Sequence, residues 1–409
     1  MRILYITYSC DPYMGSEDSI GWNIPFEMSK NNDVIVITKF EHKESISRYL
    51  EKNSIDNIKF YFIDIPKIYK KIYNGYLYSG RLLIWNKRAF LCAKKISKST
   101  KIDIIHQLTP IEFRAIGKYG SIHGIKFVCG PITGGEYMPK GLLPYSKKHM
   151  LIEIIRRLAN GISCFKYRIN NRVYNCDYLM VGNHETKNLL LNSDRRLKKE
   201  CLKLIPEVGI SNKQIAGKNN EVIRRKNKPL RVIAVGRLVY RKGQSLLLDA
   251  LDSLSQDANY ECKIIGGGPD LNELKGRVEL SDNLKKHVVV TGRISDEELL
   301  KEYNEADVFV LPSIREATGG VVLEALANGI PVIAQKRFGA ICVMNEDCGW
   351  FFDGESQDDF IISLSRIIRE CINNREVLVQ KSENAINKAK AYTWDKKAAI
   401  YYRIYKNLL

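Results

Sequence analysis

The chain has 409 residues, of which 45% are hydrophobic and 27% charged, and its formal net charge is +18 at pH 7. This length and apolar content suffice for two α/β domains, each with its own core, and exclude a mainly disordered chain. We expect neither a signal peptide nor a transmembrane helix, because the first residues predict a strand and no run approaches about 20 apolar residues.

The ten cysteines show neither a C-x-x-C pair nor the histidine-rich spacing of a metal site. Closely spaced pairs are typical of zinc sites, and structural disulfides are typical of oxidising compartments. We therefore expect free thiols in a protein of the reducing cytosol, with no bound metal.

Short apolar runs alternate with helix-length segments along the whole chain. The predicted strands of the first half span residues 3–7, 34–38, 59–63, 102–106, 126–129 and 178–181. After a polar, basic stretch at 211–228, further strands are predicted at 230–235, 262–265, 288–290, 308–311 and 331–334. This alternation is typical of parallel, doubly wound sheets with helices on both faces. We therefore predict an α/β protein with two Rossmann-like domains, residues 1–210 and 229–391, followed by a helix at 392–409.

Most of the net positive charge lies in two segments of the first half. Residues 66–101 contain ten basic residues and no acidic one, and residues 138–172 contain eight basic residues and the single acid Glu153. Residues 150–159 have the spacing of an amphipathic helix with Arg156 and Arg157 beside its apolar side chains, which is typical of a membrane interface. No nucleic-acid motif accompanies the charge, so we predict an anionic lipid surface as partner and no nucleic acid. A core helix at 150–159 is the alternative.

Two glutamates eight positions apart, Glu316 and Glu324, enclose a glycine-bearing turn and the start of a predicted helix. The spacing keeps both carboxylates near one face. Between them, Gly319 and Gly320 allow backbone N–H groups at the helix N-terminus to approach an anion closely. Amides for phosphate and carboxylates for hydroxyls together favour a sugar nucleotide. The alternative is that Glu316 caps the helix and Glu324 forms a solvent-exposed ion pair.

The Glu-x7-Glu stretch from Pro312 to Val332 resembles the retaining GT-B glycosyltransferases of family 4. The resemblance implies that Glu316 lies against the donor sugar and that Glu324 holds the ribose hydroxyls. It also implies that the donor diphosphate meets the backbone between them, at Thr318, Gly319, Gly320 and Val321.

A second segment of the resemblance follows the predicted strand at 230–235. There Gly236 and Arg237 precede Lys242 in a strand-to-helix turn that resembles the family's diphosphate-binding turn. An arginine forks onto a diphosphate and a lysine adds a mobile point charge. The resemblance therefore implies that Arg237 and Lys242 stabilise the leaving group. A solvated basic turn is the alternative.

Two later turns resemble the nucleotide-binding segments of the family. Gly267 and Gly268 belong to a glycine-rich strand end that the resemblance implies lies under the nucleotide. Arg293 belongs to a turn whose counterpart meets the base through its backbone. Backbone contacts carry little information about the base, so UDP and GDP both stay open, with UDP favoured.

The first predicted strand is followed by a Gly-Ser-Glu loop that resembles a subset of the family, the bacterial enzymes that build O-antigen or capsule polysaccharides. In this loop Gly15 is implied to meet the donor. Glu17 either contacts the acceptor or caps a helix.

Two further segments resemble the same subset. His106 follows a strand and either takes part in catalysis or is a satisfied buried histidine; Leu108 stands where many relatives have a second histidine. Gly134, Gly135 and Glu136 form a loop that is suited to acceptor hydroxyls, with a plain turn as the alternative.

The resemblance implies a GT-B fold, in which two Rossmann-like domains face a central cleft and the helix at 392–409 crosses back to the first domain. It implies a retaining hexosyltransferase that moves a sugar from a nucleotide-sugar to an undecaprenyl-diphosphate-linked oligosaccharide, in O-antigen, capsule or lipopolysaccharide biosynthesis. Such an enzyme needs no metal or other cofactor and works on the inner face of the cell membrane. A UDP-sugar epimerase of GT-B fold and a non-catalytic, membrane-docked GT-B partner protein are the alternatives. The oligomeric state stays open.

Overall fold

The computed structural model describes residues 1–72, 78–143, 149–197, 202–215 and 228–409. The chain divides into two compact units. The first unit comprises residues 1–135, 157–209 and 394–409, and the second comprises residues 136–156 and 210–393. The division differs from the predicted domains at residues 136–156, which belong to the second unit although they precede the end of the first.

The first unit is built on a parallel sheet of seven strands in the order β3-β2-β1-β4-β5-β6-β7. Its strands are β1 Arg2–Thr7, β2 Asp33–Lys39, β3 Ile58–Ile63, β4 Ile104–Thr109, β5 Lys126–Ile132, β6 Tyr178–Val181 and β7 Leu202–Leu204. The helices between them are α1 Glu17–Ser29, α2 Lys43–Lys52, α3 Lys67–Ile72, α4 Tyr78–Ser99, α5 Met150–Asn170 and α6 His184–Ser193. The central strands are apolar on both faces, as expected for a parallel sheet covered by helices.

The second unit is built on a parallel sheet of six strands in the order β10-β9-β8-β11-β12-β13. Its strands are β8 Leu230–Val235, β9 Tyr260–Ile265, β10 Val288–Gly292, β11 Val308–Leu311, β12 Val332–Gln335 and β13 Gly349–Phe352. Its helices are α7 Gln244–Asp252, α8 Leu271–Leu280, α9 Asp282–His287, α10 Asp296–Glu305, α11 Gly320–Ala327, α12 Ala340–Val343, α13 Gln357–Asn373 and α14 Glu376–Ala389. In both units the change of strand order beside the first strand puts a topological switch point at the carboxyl ends of the strands, where ligands bind such sheets.

The two parallel sheets confirm the predicted doubly wound architecture, and each predicted strand is present. Strands β7 and β13, the last strand of each sheet, were not predicted from the sequence. Both are short, with three and four residues, and β7 has a lysine between its two leucines. Such runs are too short for a period to be recognised in the sequence.

The last helix, α15 Trp394–Leu408, belongs to the first unit, as predicted. It packs on α1, and its side chains Tyr401 and Tyr405 are fully buried. The Tyr405 hydroxyl lies 3.0 Å from the Tyr5 hydroxyl of β1. The C-terminus therefore completes the core of the unit in which the chain begins.

Helix α5 presents an apolar face to solvent. Its exposed large side chains include Leu158 at 62% and Phe165 at 65% of their full accessibility. Together they follow the helical repeat: Met150, Leu151, Ile154, Ile155, Leu158, Ile162, Phe165 and Ile169. Its buried side, by contrast, carries the polar residues Glu153 and Asn160, exposed by 1% and 0%. This exposed pattern is the opposite of a core helix at 150–159. We name these eight apolar residues the α5 stripe.

Among the described residues, none of the helices combines the length and hydropathy of a transmembrane span. The basic residues Lys70 and Lys71 and the aromatic residues Tyr73 and Tyr76, which contributed to the predicted lipid surface, lie outside the residues whose side chains are described. Arg156, in contrast, is not lipid-facing: its guanidinium lies 3.3 Å from Glu136 and is mostly buried.

Candidate functional site

The loop after β8 is held against the loop after β11. Gly243 adopts the left-handed conformation, with φ of 69°, and a Cβ there would lie 2.0 Å from the carbonyl oxygen of Pro312. Only glycine allows so close an approach of two backbones. The N–H groups of Ile314 and Arg315 also donate to the Arg241 carbonyl oxygen, at 3.0 and 3.2 Å. These contacts bring the basic turn and the first glutamate together.

Glu316 is 8% exposed and pairs with Lys242, its predicted neighbour in the site. The same carboxylate oxygen accepts a hydrogen bond from the Ser313 hydroxyl at 3.1 Å, and its other oxygen accepts from the Ala317 N–H at 3.3 Å. Burial raises the pKa of Glu316, but the positive charges of Lys242 and Arg241 and the hydrogen bonds outweigh it, so the pKa lies below its usual value. Glu316 is therefore an ionised carboxylate at neutral pH.

Helix α11 begins at Gly320, four residues after Glu316 in the chain. Its N-cap, Gly319, has φ of 76°, which other residues rarely adopt, and Gly320 is exposed. No side chain of the N-cap occupies the first N–H groups of the helix. Those groups and the helix dipole favour an anion at this end.

Glu324 lies in the second turn of α11, and its carboxylate accepts a hydrogen bond from the Tyr303 hydroxyl of α10 at 3.1 Å. Burial raises the pKa of Glu324, and Asp296 raises it further, while the Tyr303 hydrogen bond lowers it. Tyr303 was not predicted as a site residue, because a tyrosine in an amphipathic helix is typical of the core. Glu324 is thus oriented by a neighbouring helix and is not in a surface ion pair.

A cavity of about 430 Å³ opens where β8, β9 and β10 end. Four predicted site residues line it together: the donor-binding residues Gly236, Gly267 and Arg293, and Arg237, which was predicted to stabilise the leaving group. Ile294, Asp296 and Leu299 also line it and were missed by the sequence analysis. Asp296 follows the capping residue Ser295, so in the sequence it reads as an ordinary helix start.

The cavity has two cations that the protein itself does not neutralise. Arg237 and Arg293 are both exposed, and among the described residues neither guanidinium has a hydrogen bond or an ion pair. A Cβ at Gly236 would lie 4.0 Å from Cε of Lys242, so the cavity borders the Lys242–Glu316 pair. Gly268, next to the cavity, has no room for a side chain because a Cβ would lie 2.1 Å from the Leu238 carbonyl oxygen. The site is therefore positively charged on one side and carboxylate-bearing on the other.

His106 lies in the core of the first unit, away from any surface. Its side chain is 0% exposed, with Nδ1 2.5 Å from the Tyr405 hydroxyl and Nε2 2.6 Å from the Gly130 carbonyl oxygen. Burial lowers its pKa to about 3, although the Gly130 hydrogen bond raises it in part. Both ring nitrogens are occupied, so the structure favours the buried structural histidine over the catalytic one.

Glu17 is the first residue of α1 and binds a neighbouring loop. Its carboxylate accepts a hydrogen bond from the Ile111 N–H at 2.9 Å. Burial raises the pKa of Glu17 to about 7, with the Ile111 hydrogen bond acting against it. Gly15, two residues before it, is exposed, and a Cβ there would meet nothing within 4 Å. The Gly15 loop is open, while Glu17 is tied to the loop after β4.

The residues Gly134, Gly135 and Glu136 are packed within the protein. A Cβ at Gly134 would lie 2.5 Å from the Glu112 carboxylate, and one at Gly135 would lie 2.6 Å from the backbone of Thr186. Glu136 is 3% exposed and pairs with Arg156. The Glu136 carboxylate already has a buried partner, so the structure favours the plain turn over the predicted loop for acceptor hydroxyls.

The nine described cysteines are free thiols, and most are buried. Within the described ranges, no three His, Cys, Asp or Glu side chains cluster as metal ligands.

The match to a known protein family lies in the second unit. Residues 217–391 match the model of the family "Glycosyl transferases group 1". This region contains the loops of Arg237, Lys242 and Glu316, the cavity and helix α11. The similarity to this family therefore covers the part of the chain that carries the candidate site, which is less than half of the whole chain.

Two curated relatives indicate the range of similar proteins. The alpha-monoglucosyldiacylglycerol synthase of Streptococcus pneumoniae is 28% identical over 278 residues, which cover 62% of this chain and 59% of that protein. The amylovoran biosynthesis glycosyltransferase AmsK of Erwinia amylovora is 31% identical over 140 residues, covering 32% of this chain and 34% of AmsK. The chain thus spans less than two thirds of the length of these relatives.

Similarity to solved structures extends over both units. The Anabaena protein Alr3699/HepE, solved in complex with UDP, is 17% identical, covers 98% of this chain over 99% of its own, and superposes with a TM-score of 0.64. At this identity the similarity concerns the fold. Together with the two parallel sheets, it identifies the fold as GT-B, with two Rossmann-like domains.

Proposed function

We propose that this protein is a retaining glycosyltransferase that transfers a hexose from a nucleotide-sugar to a lipid-linked acceptor. The observation that carries the proposal is the Lys242–Glu316 pair beside a cavity with the unneutralised cations Arg237 and Arg293. A nucleotide-sugar supplies a diphosphate for the cations and hydroxyls for the carboxylates. The cavity volume of about 430 Å³ lies within the usual range of small-molecule sites.

Arg237 and Lys242 would stabilise the diphosphate as it leaves. Negative charge develops on the leaving group in the transition state, and cations fixed in a partly buried site stabilise it more effectively than solvent does. The free N–H groups at the start of α11, around Gly319 and Gly320, add to the same field. These groups take the place of a metal ion, so we expect transfer in the presence of EDTA.

Glu316 would contact the donor sugar, and Glu324 the ribose. Glu316 is ionised and held by Lys242 and Ser313, and can accept hydrogen bonds from sugar hydroxyls. Glu324 is oriented by Tyr303 and lies near Asp296 of the cavity. Both carboxylates thus have the chemistry and the fixed orientation that hydroxyl recognition needs.

The step we propose is a front-face displacement. The acceptor hydroxyl oxygen forms a bond to the anomeric carbon on the same face from which the diphosphate departs, and the anomeric carbon–oxygen bond to the diphosphate breaks. The hydroxyl proton passes to an oxygen of the leaving phosphate. The anomeric configuration is retained, and no covalent sugar–enzyme intermediate is needed.

The α5 stripe would bind the acceptor's membrane. The eight exposed apolar side chains of this helix would insert into the membrane interface, where their apolar surface is removed from water. The basic residues Lys166 and Arg168 of the same helix favour anionic headgroups. The protein would then be peripheral on the inner face of the cell membrane. Such a site suits a lipid-linked substrate, as in a synthase of glycosylated diacylglycerol.

The finer identity of the substrates is part of the proposal. The Anabaena structure contains UDP, and AmsK takes part in amylovoran biosynthesis. We therefore favour a UDP-sugar over a GDP-sugar, and an undecaprenyl-diphosphate-linked oligosaccharide of a surface polysaccharide as acceptor.

The test is a transfer assay with purified protein on anionic vesicles. The donors are UDP-glucose, UDP-galactose, UDP-N-acetylglucosamine and GDP-mannose, and the acceptor is an undecaprenyl-diphosphate-linked sugar. We expect acceptor-dependent release of one nucleotide and a product of retained configuration. Glu316→Ala should abolish transfer, whereas Glu302→Ala, which removes a carboxylate paired with Lys263, should not.

Other outcomes would contradict the proposal. Unchanged transfer by Glu316→Ala removes the catalytic role of the pair. Conversion of UDP-N-acetylglucosamine without an acceptor identifies an epimerase. Nucleotide binding without turnover of any donor identifies a non-catalytic GT-B protein.

A further inference from the structure

Glu153 is a buried carboxylate on the inner side of the helix that carries the α5 stripe. It is 1% exposed and belongs to the segment 136–156 of the second unit. Its Oε1 accepts a hydrogen bond from the Tyr240 hydroxyl and lies 3.1 Å from Nη2 of Arg315. The ring of His149, one turn earlier, stacks on Tyr240 at 4.0 Å. A single oxygen thus holds two side chains of the second unit.

Both partners of Glu153 adjoin the residues of the donor site. Tyr240 begins the helical turn that ends at Lys242, and Arg315 immediately precedes Glu316. Arg315 also reaches the Tyr240 hydroxyl, at 3.4 Å. The Glu153 carboxylate therefore contacts the two loops whose tips form the Lys242–Glu316 pair.

This arrangement is not explained well by stability alone. A buried ion pair contributes little net stability compared with apolar residues of the same shape, because both charges lose their hydration. Moreover, Oε2 of Glu153 and Nε of Arg315 are buried and have no hydrogen-bond partner among the described residues. An incompletely satisfied buried pair calls for a reason other than packing.

We propose that Glu153 is a positioning residue of the donor site, which sets the relative position of Lys242 and Glu316 through Tyr240 and Arg315. This inference rests on the proposed function. Its physical basis is that a shift of about 1 Å between catalytic groups lowers the rate strongly while leaving nucleotide binding nearly intact.

The position also links the lipid-facing helix to catalysis. Ile154 and Ile155 of the α5 stripe directly follow Glu153 in the same helical turn. Vesicle binding that orders this turn would order the Tyr240 and Arg315 loops too. The proposal therefore includes stimulation of the turnover number by anionic vesicles through Glu153.

The test compares full-length wild type with Glu153→Gln, Arg315→Gln and the double variant. Glutamine keeps the shape and an acceptor for Tyr240 but removes the charge that holds Arg315. We expect each single variant to lower kcat about tenfold, with UDP and GDP affinities within about twofold of wild type, and the double variant to lose no more than either single one. Stimulation by vesicles containing anionic lipid should be lost in Glu153→Gln although the vesicles still bind.

The matched control is Asp307→Asn, which breaks another buried ion pair of the second unit, with Arg375 at 3.4 Å. It should lower the melting temperature without lowering kcat at 25 °C. If Glu153→Gln does not fold, Tyr240→Phe removes the other contact and should give the same split between kcat and nucleotide affinity.

The inference is overturned if wild type is active and Glu153→Gln keeps its kcat, or if the effects of Glu153→Gln and Arg315→Gln multiply. A wild type that transfers none of the donors overturns the proposed function and this inference with it.

Discussion

The two units of the molecule use their polar side chains in opposite ways. In the second unit, Arg237 and Arg293 lie exposed in a cavity and have no charged partner among the described residues. In the first unit, by contrast, His106 is fully buried, and each of its two ring nitrogens has a hydrogen-bond partner within the protein. Charges left without a protein partner indicate a ligand, whereas a buried histidine with both nitrogens occupied indicates a structural role.

The comparison also separates two kinds of resemblance. In the second unit the motif residues meet in space as the resemblance implied: Lys242 reaches Glu316, and Arg237 shares a cavity with Gly267 and Arg293. In the first unit the motifs match by letter, but the side chains of Glu17 and His106 already form hydrogen bonds with other parts of the chain. A short motif therefore supports a site more strongly when the fold also brings several of its residues together around one cavity.

The largest expected effect concerns the Lys242–Glu316 pair. Lys242→Ala removes a cation that would stabilise the leaving diphosphate, so we expect kcat to fall by about 100-fold or more. Lys263→Ala removes a lysine that pairs with Glu302 elsewhere in the same unit and should leave kcat within about twofold. Steady-state kinetics with the best donor measure both. Equal kcat values of Lys242→Ala and Lys263→Ala would contradict a specific role of Lys242 in transfer.

The next effect concerns the α5 stripe. The double variant Leu158→Glu with Phe165→Glu places two charges on the proposed lipid face, and we expect binding to anionic vesicles to weaken by about 30-fold. The matched control is Leu280→Glu with Ile362→Glu, which changes two apolar residues of the second unit that are at least as exposed, at 89% and 65%. Flotation of all three proteins with vesicles measures the difference. If both double variants lose vesicle binding to a similar extent, the loss does not depend on the α5 stripe, which would contradict its role in membrane binding.

A smaller effect is expected at the ribose end of the site. Glu324→Gln keeps the shape of the side chain but removes the charge that accepts hydroxyl hydrogen bonds, each worth about 1.5–3 kcal/mol with a charged partner. We expect KM for the donor to rise about tenfold with kcat nearly unchanged. Tyr303→Phe should raise KM less, because the carboxylate keeps its charge and loses only its orienting hydrogen bond. A loss in kcat alone would place Glu324 at the reacting bond instead.

The smallest effect concerns His106 and appears only in stability. Burial lowers its folded pKa to about 3 from the usual 6.5, so the unfolded state binds more protons between these values. The contribution of the neutral His106 side chain to the free energy of unfolding is therefore complete above about pH 6.5. This contribution is lost as the pH falls toward 3, by about 1.4 kcal/mol per pH unit. His106→Gln should flatten this slope and leave kcat within about twofold. Urea unfolding at several pH values measures the slope, and a kcat loss of more than tenfold would restore a catalytic role.

The fold and the cavity with its motif residues could be predicted from the sequence for the same reason. The strands of both sheets are apolar runs whose order determines where their carboxyl ends lie, and the motifs follow those ends directly. Gly243 and Gly319 have positive φ, and both lie in turns between a strand and a helix. The positions of these turns could be predicted from the sequence. Local spacing therefore sufficed for the cavity residues that belong to motifs, namely Gly236, Arg237, Gly267 and Arg293.

The remaining features depend on contacts between distant parts of the chain. Tyr405, which occupies Nδ1 of His106, is 299 residues away from it in sequence. The transfer of residues 136–156 to the second unit, and with it the contact of Glu153 with Arg315, has no local signal either. Asp296 and Tyr303 read as ordinary helix residues, so only their position beside the cavity and Glu324 reveals them.

Nucleotide binding to the second unit is the most direct test of the account. Isothermal titration of UDP and GDP into the purified protein in EDTA should show one site for at least one of the two nucleotides. Arg237→Ala should weaken that binding by at least about tenfold, because it removes a charge-assisted contact to the diphosphate. Binding of neither nucleotide, or equal affinity of Arg237→Ala and wild type, would contradict the donor site described for this cavity.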